Sequence, residues 1–498
     1  MTLLPVLPIV IPLAGAVLCM LFRRSLPMQK WIAIGFSFLI LLTAICLMIH
    51  TRDGTIAVMH VGGWAAPFGI TLAVDMLSSV MLVLVGILAV GVSIYACFDL
   101  DRPRMQFGFF PLVLILLMGV NGAFVTGDLF NLYVWFEVLL TASFILLALG
   151  GERPQLAGSI KYVALNLLSS ALFLAGIGIL YGMAGTLNMA ELAVVVQQGE
   201  RGGLVTMVAV MFMMAFGIKA GMFPLYFWLP ASYPTPPAAI TALFSGLLTK
   251  VGVYSLIRVF TLIFITDPGF LHDLLLIGAG LTMVSGVLAA ASHYEMRKIL
   301  AVHIVSQIGY IVMGLGLFTE LALAGSIIYL IHIIIVKTNL FLIAGVVRRL
   351  KGSYDLHVLG GLYKERPGLS ILFIISAMSL AGIPPLSGFF AKVTLIIAGL
   401  QAGHWLIVAV ALGVSLLTLY SMTKIWAYVF WKPAPAPLPD LNPLSRAAWL
   451  AYLLPIIGFA IVTVAIGVFA GPVFDYAKLA AGQLMDPSGY IQAVLGGG

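Results

Sequence analysis

Residues 216–230 read FGIKAGMFPLYFWLP and combine a charged side chain with a helix break. Lys219 lies in the middle of an apolar run, and Pro224, five residues later, lacks a backbone donor and interrupts a helix. Charges and unpaired backbone groups are both costly inside a bilayer. Their combination therefore predicts a functional site within a membrane-spanning helix.

The composition around this stretch is that of a polytopic membrane protein. Of 498 residues, 62% are hydrophobic and only 9% are charged, whereas a soluble domain carries about 25% charged residues. The net charge of +7 is spread thinly over many loops, which favours a lipid bilayer over nucleic acid as the partner. Cys19, Cys46 and Cys97 lie in or beside apolar runs without a CxxC pair, which favours packing roles.

Fourteen apolar segments are long enough to cross a hydrocarbon core, which needs about 20 residues per helix. We number them spans 1–14, with predicted bounds of 3–22, 31–50, 72–97, 107–125, 129–149, 160–183, 204–228, 237–262, 272–291, 297–317, 322–347, 369–400, 404–431 and 447–470. The sequence thus predicts an all-α polytopic membrane protein in which no strand pattern competes. A Pro-rich linker is expected at 432–443, and a Gly-rich tail at 472–498 that is interfacial or loosely ordered.

Basic residues in the loops predict the orientation of the chain. With fourteen spans, sixteen Lys and Arg residues fall on one side and three fall on the side of the termini. The sixteen are Arg23, Arg24, Lys30, Arg102, Arg104, Arg153, Lys161, Arg297, Lys298, Arg348, Arg349, Lys351, Lys364, Arg366, Lys432 and Arg446. The positive-inside rule predicts a multi-pass protein of a bacterial inner membrane, with both termini on the non-cytoplasmic side.

A short internal repeat relates two interrupted spans. The segments AGMFPL at 220–225 and AGIPPL at 381–386 share the form AGxxPL, and their breaking residues are Gly221, Pro224, Pro384 and Pro385. Five spans separate the two segments, and this odd number reverses the second helix relative to the first. The pattern predicts two inverted five-helix repeats, spans 4–8 and 9–13, with broken helices 7 and 12. The expected units are 1–106, 107–262, 272–431 and 432–498.

Ionisable side chains near the middle of the spans are the candidate functional groups. A charge at this depth costs about 2.5–3.5 kcal/mol on insertion scales, so its retention indicates a use. The candidates for proton transfer are Glu137, Lys219, Lys250, His332, Lys337 and Lys392. Glu137 is the predicted partner of Lys219. Burial favours a neutral amine and a carboxylate favours an ammonium, so the pair would gain or release a proton as it closes or separates.

Each of these groups also has a purely structural interpretation. Glu137 and Lys219 would also serve as a static ion pair, and a lone histidine such as His332 is often only hydrogen-bonded to a neighbour. His332 and Lys337 are five residues apart, about 140° around a helix, and do not share a face. Taken as a series, the groups predict proton movement along the middle of the membrane, with access at the two broken helices.

The motifs of other transport chemistries are missing from the sequence. It contains no GxxxxGK[ST] loop, CxxC cluster or Rossmann fingerprint. We therefore expect no cofactor, no metal site and no ATP-driven pumping by this chain. Asp75, Asp99 and Asp128 lie at span ends, which favours boundary roles over the coordination of sodium.

Four ordered motifs resemble the antiporter-like membrane subunits shared by respiratory complex I, membrane-bound hydrogenases and Mrp-type cation/proton antiporters. They are WFE at 135–137, GIKAGMFPLYFWLPASYPTPPAAITALFSGLLTKVGVYSLIR at 217–258, RKILAVHIVSQIGYIVMGLG at 297–316 and SLAGIPPLSGFFAK at 379–392. The resemblance covers roughly residues 70–430. It implies fourteen helices, two inverted repeats with broken helices 7 and 12, and a glutamate–lysine pair at Glu137 and Lys219. It also implies a lysine on helix 8 at Lys250 and a terminal charged group at Lys392.

The resemblance also implies a function and partners. The stretch FNLYVWFEVLLTASFILLALGG at 130–151 and the chain length are most similar to an Mrp-type subunit, which implies a secondary transporter rather than an enzyme. The implied partners are the Mrp subunits A, B, C, E, F and G, with H⁺ and Na⁺ as the exchanged ions. The alternatives are a proton-pumping subunit of complex I, which is an NADH-quinone oxidoreductase, or of a hydrogenase. A scaffold with vestigial charges is the alternative from another class.

Overall fold

The structure is a computed structural model that describes residues 3–198, 202–265, 267–435 and 445–496. Within these ranges, twelve helices are long and apolar enough to cross a membrane. Two further crossings come from the shorter helix Phe109–Val125 and from Pro367–Ala381 followed by Ser387–Gln401. The described residues therefore form fourteen crossings, and the predicted all-helical membrane fold is confirmed.

The spans follow the predicted bounds closely. In chain order they are Leu7–Leu21, Leu26–Thr51, Met76–Asp99, Phe109–Val125, Leu129–Ala148, Arg153–Ala184, Gly202–Ala220, Ala238–Leu262, Pro268–Ser292, Met296–Leu317, Glu320–Lys351, Pro367–Ala381 with Ser387–Gln401, Trp405–Ile425 and Arg446–Val468. Span 6 begins seven residues earlier than predicted because Pro154, in its first turn, fits a helix start. The predicted Pro-rich linker at 432–443 lies mostly outside the described residues.

Spans 8, 10 and 11 form the centre of the molecule. The most apolar windows of spans 8 and 10 are 100% buried and that of span 11 is 94% buried, whereas those of spans 1, 2, 9, 13 and 14 are 33–39% buried. Span 11 packs against spans 3, 8, 10, 12 and 14. The outer helices present apolar side chains outward, so the polar side chains of the three central spans are shielded from lipid.

One hairpin and several short helices lie outside the spans. Strands Ala57–His60 and Thr71–Val74 pair antiparallel between spans 2 and 3, so the expectation that strands play no part misses this hairpin. Neither strand alternates between buried and exposed positions, so neither carries the sequence signal of a strand. The helices outside the spans are Val61–Gly63, Arg102–Gln106, Met189–Gln198, Trp228–Ser232, Leu362–Glu365, Ala470–Met485 and Ser488–Leu495, whereas Leu4–Val6 leads into span 1 and Trp426–Trp431 continues span 13.

The C-terminal tail is helical and packs against the ends of spans 3 and 8. The Gln483 amide oxygen accepts from the backbone N–H of Met76 at 3.1 Å. Tyr490 is buried, and its ring centre lies 5.3 Å from the Arg258 guanidinium. Arg258 forms a buried ion pair with Asp75 at 2.6 Å. The tail is therefore fixed to the helical bundle rather than loosely ordered.

Candidate functional site

Span 7 is interrupted where the sequence predicts. Its helix Gly202–Ala220 ends at Gly221, whose φ of 81° lies in the left-handed region that glycine adopts most readily. Pro224 lies in the connection that follows, and the short helix Trp228–Ser232 comes after it. The end of the helix is closed by local bonds, because the Gly217 carbonyl accepts from the Met222 backbone N–H at 2.8 Å and the Ile218 carbonyl accepts from the Trp228 indole N–H at 3.0 Å.

Lys219 lies in the last turn of that helix and is buried. Its side-chain nitrogen Nζ donates to the Ser170 hydroxyl of span 6 at 3.2 Å. The same nitrogen lies 4.6 Å from the centre of the Phe136 ring of span 5. A helix C-terminus and an aromatic face both stabilise a cation. These uncharged neighbours offset part of the cost of burying an ammonium.

Glu137 follows Phe136 in the chain but does not contact Lys219 as an ion pair. It is partly exposed, and its Oε1 atom is buried without a hydrogen-bond partner in the protein. Across the part of the chain that the structure describes, the ion pairs within 4.0 Å include neither residue. The Glu137–Lys219 pair therefore stays a prediction, and the two charged groups lie more than 4.0 Å apart in the structure.

Lys250 and Lys337 are fully buried and donate to backbone carbonyl oxygens. Lys250 Nζ donates to the Ser245 carbonyl at 2.5 Å, one turn back along span 8. Lys337 Nζ donates to the Leu300 carbonyl of span 10 at 3.1 Å. The Thr249 hydroxyl, next to Lys250, has no protein partner, and a buried hydroxyl of this kind needs water.

His332 of span 11 lies against the second break. Its Nδ1 atom is 2.8 Å from the Ser387 hydroxyl and 3.4 Å from the Ser379 hydroxyl, one on each side of that break. Its Nε2 atom is buried without a protein partner. Lys337, on the same span, contacts span 10 instead, so the two side chains lie on different faces of their helix.

Lys392 reaches back across the second break. The helix Pro367–Ala381 ends at Gly382, whose φ is 90°, and Pro384 and Pro385 follow. Lys392 Nζ donates to the Ala381 carbonyl at 3.0 Å. The same nitrogen lies 5.0 Å from the centre of the Tyr310 ring of span 10. The lysine thus occupies the negative end of the interrupted helix.

Sequence reasoning missed His303 on span 10. The side chain is fully buried, and neither ring nitrogen has a hydrogen-bond partner in the protein. The Ser306 hydroxyl and the Gln307 Nε2 atom on the same face are also unpartnered, while Gln307 Oε1 accepts from the Tyr329 hydroxyl at 2.5 Å. Polar residues at positions i, i+3 and i+4 within VHIVSQ were the signal for this face.

The carboxylates at span ends are engaged in boundary contacts. Asp75 accepts from the Ser78 backbone N–H at 2.9 Å, and Asp128 accepts from the Asn131 backbone N–H at 2.7 Å, so each caps its own helix. Asp99 accepts from the Ala239 backbone N–H of span 8 at 3.0 Å. Among the residues described, no three His, Cys, Asp or Glu side chains come together as metal ligands would.

The structure has two broken helices with buried lysines and further buried ionisable groups on the central spans. These features define a class of ion-translocating membrane subunit. A family model described as "NADH:quinone oxidoreductase/Mrp antiporter, TM" matches residues 126–418. That range contains both breaks and all six predicted proton-transfer residues. The chain belongs to this family and is a multi-pass membrane protein.

Within the family, the chain is similar over its full length to antiporter subunits. It is 48% identical over 493 residues to the D subunit of the Na(+)/H(+) antiporter of Alkalihalophilus pseudofirmus, with 99% of each chain covered. It is 41% identical over 494 residues to the D subunit of the Bacillus subtilis antiporter, with 98% of this chain and 99% of that one covered. A chain in a structure of the Mrp complex from a Dietzia species superposes with a TM-score of 0.93 at 34% identity. This match covers 99% of the present chain and 100% of the other.

Proposed function

We propose that this chain is the proton-translocating membrane subunit of a multisubunit Na⁺/H⁺ antiporter. The observation that carries the proposal is a series of buried ionisable side chains on spans 7, 8, 10, 11 and 12, bounded by two broken helices. Retaining so many such groups in apolar helices is costly without a use. Full-length similarity to proteins named as D subunits of Na(+)/H(+) antiporters supports the class of transport.

Protons move along the middle of the membrane in this mechanism. Lys219 is the first member of the series. It contacts the ring of Phe136, the residue before Glu137, and the Glu137 carboxylate attracts the proton of Lys219 when the two side chains approach. Lys250 on span 8 and Lys337 on span 11 are the middle members of the series. The two spans pack closely, since a Cβ added to Gly246 would lie 2.6 Å from the Thr338 hydroxyl. Each lysine would pass a proton on through water and then recover one from its neighbour.

Histidines connect the middle of the series to its far end. His303 and His332 have ring nitrogens without protein partners, which water can join to the neighbouring lysines. His332 contacts Ser387 and Ser379 at the second break, and Lys392 follows one helix turn further on. Lys392 is the proposed end of the path within this chain.

The helix breaks provide access for water. Gly221 and Pro224 in span 7, and Gly382 and Pro385 in span 12, leave backbone groups outside a regular helical ladder. Backbone of this kind is tolerated in a membrane only where protein or a water-filled cavity surrounds it. The excess of basic residues in one set of loops supports a cytoplasmic position for those loops and a non-cytoplasmic position for both termini.

The partners in this proposal are further membrane subunits. The family resemblance supports assembly with Mrp subunits A, B, C, E, F and G, and exchange of Na⁺ for H⁺. No residue of this chain is assigned to sodium, because its span-end carboxylates already cap helices or pair with arginine. The chain would then be part of a secondary transporter and would catalyse no covalent reaction.

The test is to purify the complex through a tag on this chain, identify its subunits and reconstitute it in sealed vesicles. We expect small membrane subunits to copurify and an addition of Na⁺ to change the lumenal pH. Peripheral redox subunits in the preparation would instead indicate complex I or a hydrogenase. A complex that assembles but moves no protons with any alkali cation would contradict the proposed antiport.

A further inference from the structure

A polar cavity opens on the arginine-rich side of the molecule, between the ends of spans 3, 8 and 11. Its volume is about 340 Å³, enough for several water molecules. Asp99, the last residue of span 3, lines it. The other charged or phenolic side chains around it are Arg104, Glu152, Arg348, Arg349, Tyr354 and Tyr452. The lining is therefore rich in charged and polar groups at the ends of these spans.

Asp99 forms no ion pair within 4.0 Å in the ranges that the structure describes. Its Oδ2 atom accepts from the Ala239 backbone N–H at 3.0 Å, in the first turn of span 8. Arg104, which also lines the cavity, pairs with Asp101 and Glu152 instead. A carboxylate with one engaged oxygen, facing a hydrophilic cavity, is able to take up a proton.

Two buried lysines lie further along the spans that line the cavity. Ala238 of span 8 and Gly345 of span 11 are among the lining residues. Ser245, whose carbonyl accepts from Lys250, is seven residues along span 8 from Ala238, or about 10 Å. Lys337 is eight residues along span 11 from Gly345, or about 12 Å. Short stretches of two central helices therefore separate the cavity from the lysines.

Polar groups lie along spans 8 and 11 between the cavity and the lysines. The Tyr95 hydroxyl lies beside Gly345 and donates to the Leu342 carbonyl at 2.9 Å. Further in, the Thr338 hydroxyl lies 3.5 Å from the Ala242 carbonyl, where spans 8 and 11 meet. Hydroxyl groups of this kind can join a chain of water molecules.

We propose that this cavity is the water-filled entrance by which protons reach the buried lysines from the arginine-rich side, and that Asp99 is its first proton acceptor. The inference rests on the proposed function, since it supplies protons to Lys250 and Lys337. The structural alternative is that Asp99 only caps span 8. A cap requires an acceptor oxygen, which asparagine retains, whereas a proton acceptor requires the carboxylate.

The substitution Asp99→Asn separates these two roles. In the intact complex, we expect the initial rate of Na⁺-driven proton movement to fall about tenfold or more while assembly is unchanged. Asp128→Asn is the matched control, because Asp128 also caps a helix but lies outside the cavity, and its rate should stay within about twofold of the wild type. Wild-type transport by the Asp99→Asn complex would show that Asp99 is a cap only.

Cysteine labelling tests the entrance independently of Asp99. Thr235 lines the cavity, and Thr235→Cys is made after Cys19, Cys46 and Cys97 are replaced by alanine. A membrane-impermeant, positively charged methanethiosulfonate should label it from the arginine-rich side of sealed vesicles only, and should block proton movement. Leu406→Cys, at a side chain 80% exposed on the outer apolar face, is the control and should not be blocked.

Two results would overturn the entrance. Absence of labelling at Thr235→Cys from either side would show that the cavity is not open to water, and labelling without a block would show that protons enter elsewhere. Both results leave the proposed function standing if the unlabelled complex still exchanges Na⁺ for H⁺. Failure of that exchange in the wild type would instead contradict the proposed function itself.

Discussion

The two broken helices share one kind of interruption and hold their lysines differently. Each contains a glycine in the left-handed region, Gly221 with φ of 81° and Gly382 with φ of 90°, followed by proline. Lys219 precedes its break and lies in the last turn of the interrupted helix. Lys392 follows its break, and its ammonium reaches back to the end of the helix before it.

The difference concerns what each ammonium contacts. Lys219 donates to a hydroxyl and lies on the ring of Phe136, the residue before Glu137, so a carboxylate is available nearby in the chain. Lys392 has a helix carbonyl and the ring of Tyr310 as its neighbours. In the proposed mechanism the Glu137 carboxylate changes the proton affinity of Lys219, whereas the end of a helix stabilises the ammonium of Lys392.

The largest effects are expected where a buried lysine is replaced by methionine, and Lys219→Met does this at the first break while keeping the volume of the side chain. We expect proton movement in reconstituted complex to fall by about 100-fold or more, because no other group at the first break can replace the amine. Lys424→Met is the matched control, since Lys424 donates only to the Ala291 and His293 carbonyls at a helix end. Equal losses in the two assembled complexes would contradict a specific role for Lys219.

A smaller effect is expected from Glu137→Gln. Lys219 keeps its contacts with Ser170 and Phe136 in this variant, so the amine remains in place and loses only the group that shifts its proton affinity. The rate of proton movement should fall about tenfold. A rate equal to that of the wild type, measured in complex with all subunits present, would show that the first lysine works without a counter-ion.

At the second break, Lys392→Glu should retain part of the activity that Lys392→Met loses. A protonated carboxyl group can donate to the Ala381 carbonyl as the ammonium does, and it can still exchange a proton. We expect a loss of about threefold to tenfold for the glutamate variant, against about 100-fold for methionine. The ratio of the two initial rates is the measurement, and equal rates would remove Lys392 from the path.

Ser170→Ala is expected to have the smallest effect. The substitution removes one hydroxyl acceptor of the Lys219 amine and leaves the helix end and the Phe136 ring in place. The rate should change by no more than about fivefold. A loss as large as that of Lys219→Met would mean that the hydroxyl itself carries the proton.

The sequence alone predicted the spans and both breaks, for physical reasons. Helix length and apolar content are local properties, so hydropathy located all fourteen crossings. Glycine and proline interrupt helices through their own backbone geometry, so Gly221, Pro224, Pro384 and Pro385 marked the breaks without any knowledge of neighbours. The six ionisable positions were visible because charge is rare in apolar helices.

Contacts between distant parts of the chain were beyond the reach of the sequence. The bonds of Lys337 to span 10 and of His332 to both sides of the second break depend on how the helices pack. His303 was overlooked because a single histidine does not change the hydropathy of a span. The packed tail depends on Gln483 and Tyr490, whose partners lie hundreds of residues away.

In the proposed mechanism, protons pass along the middle of the membrane through the buried side chains between the two broken helices. Lys250→Met tests it most directly, because Lys250 is fully buried on span 8 and both breaks remain intact in this variant. The measurement is the initial rate of Na⁺-driven pH change in vesicles with the fully assembled complex. We expect a loss of about 100-fold. A rate equal to that of the wild type would contradict a path through the middle of the membrane.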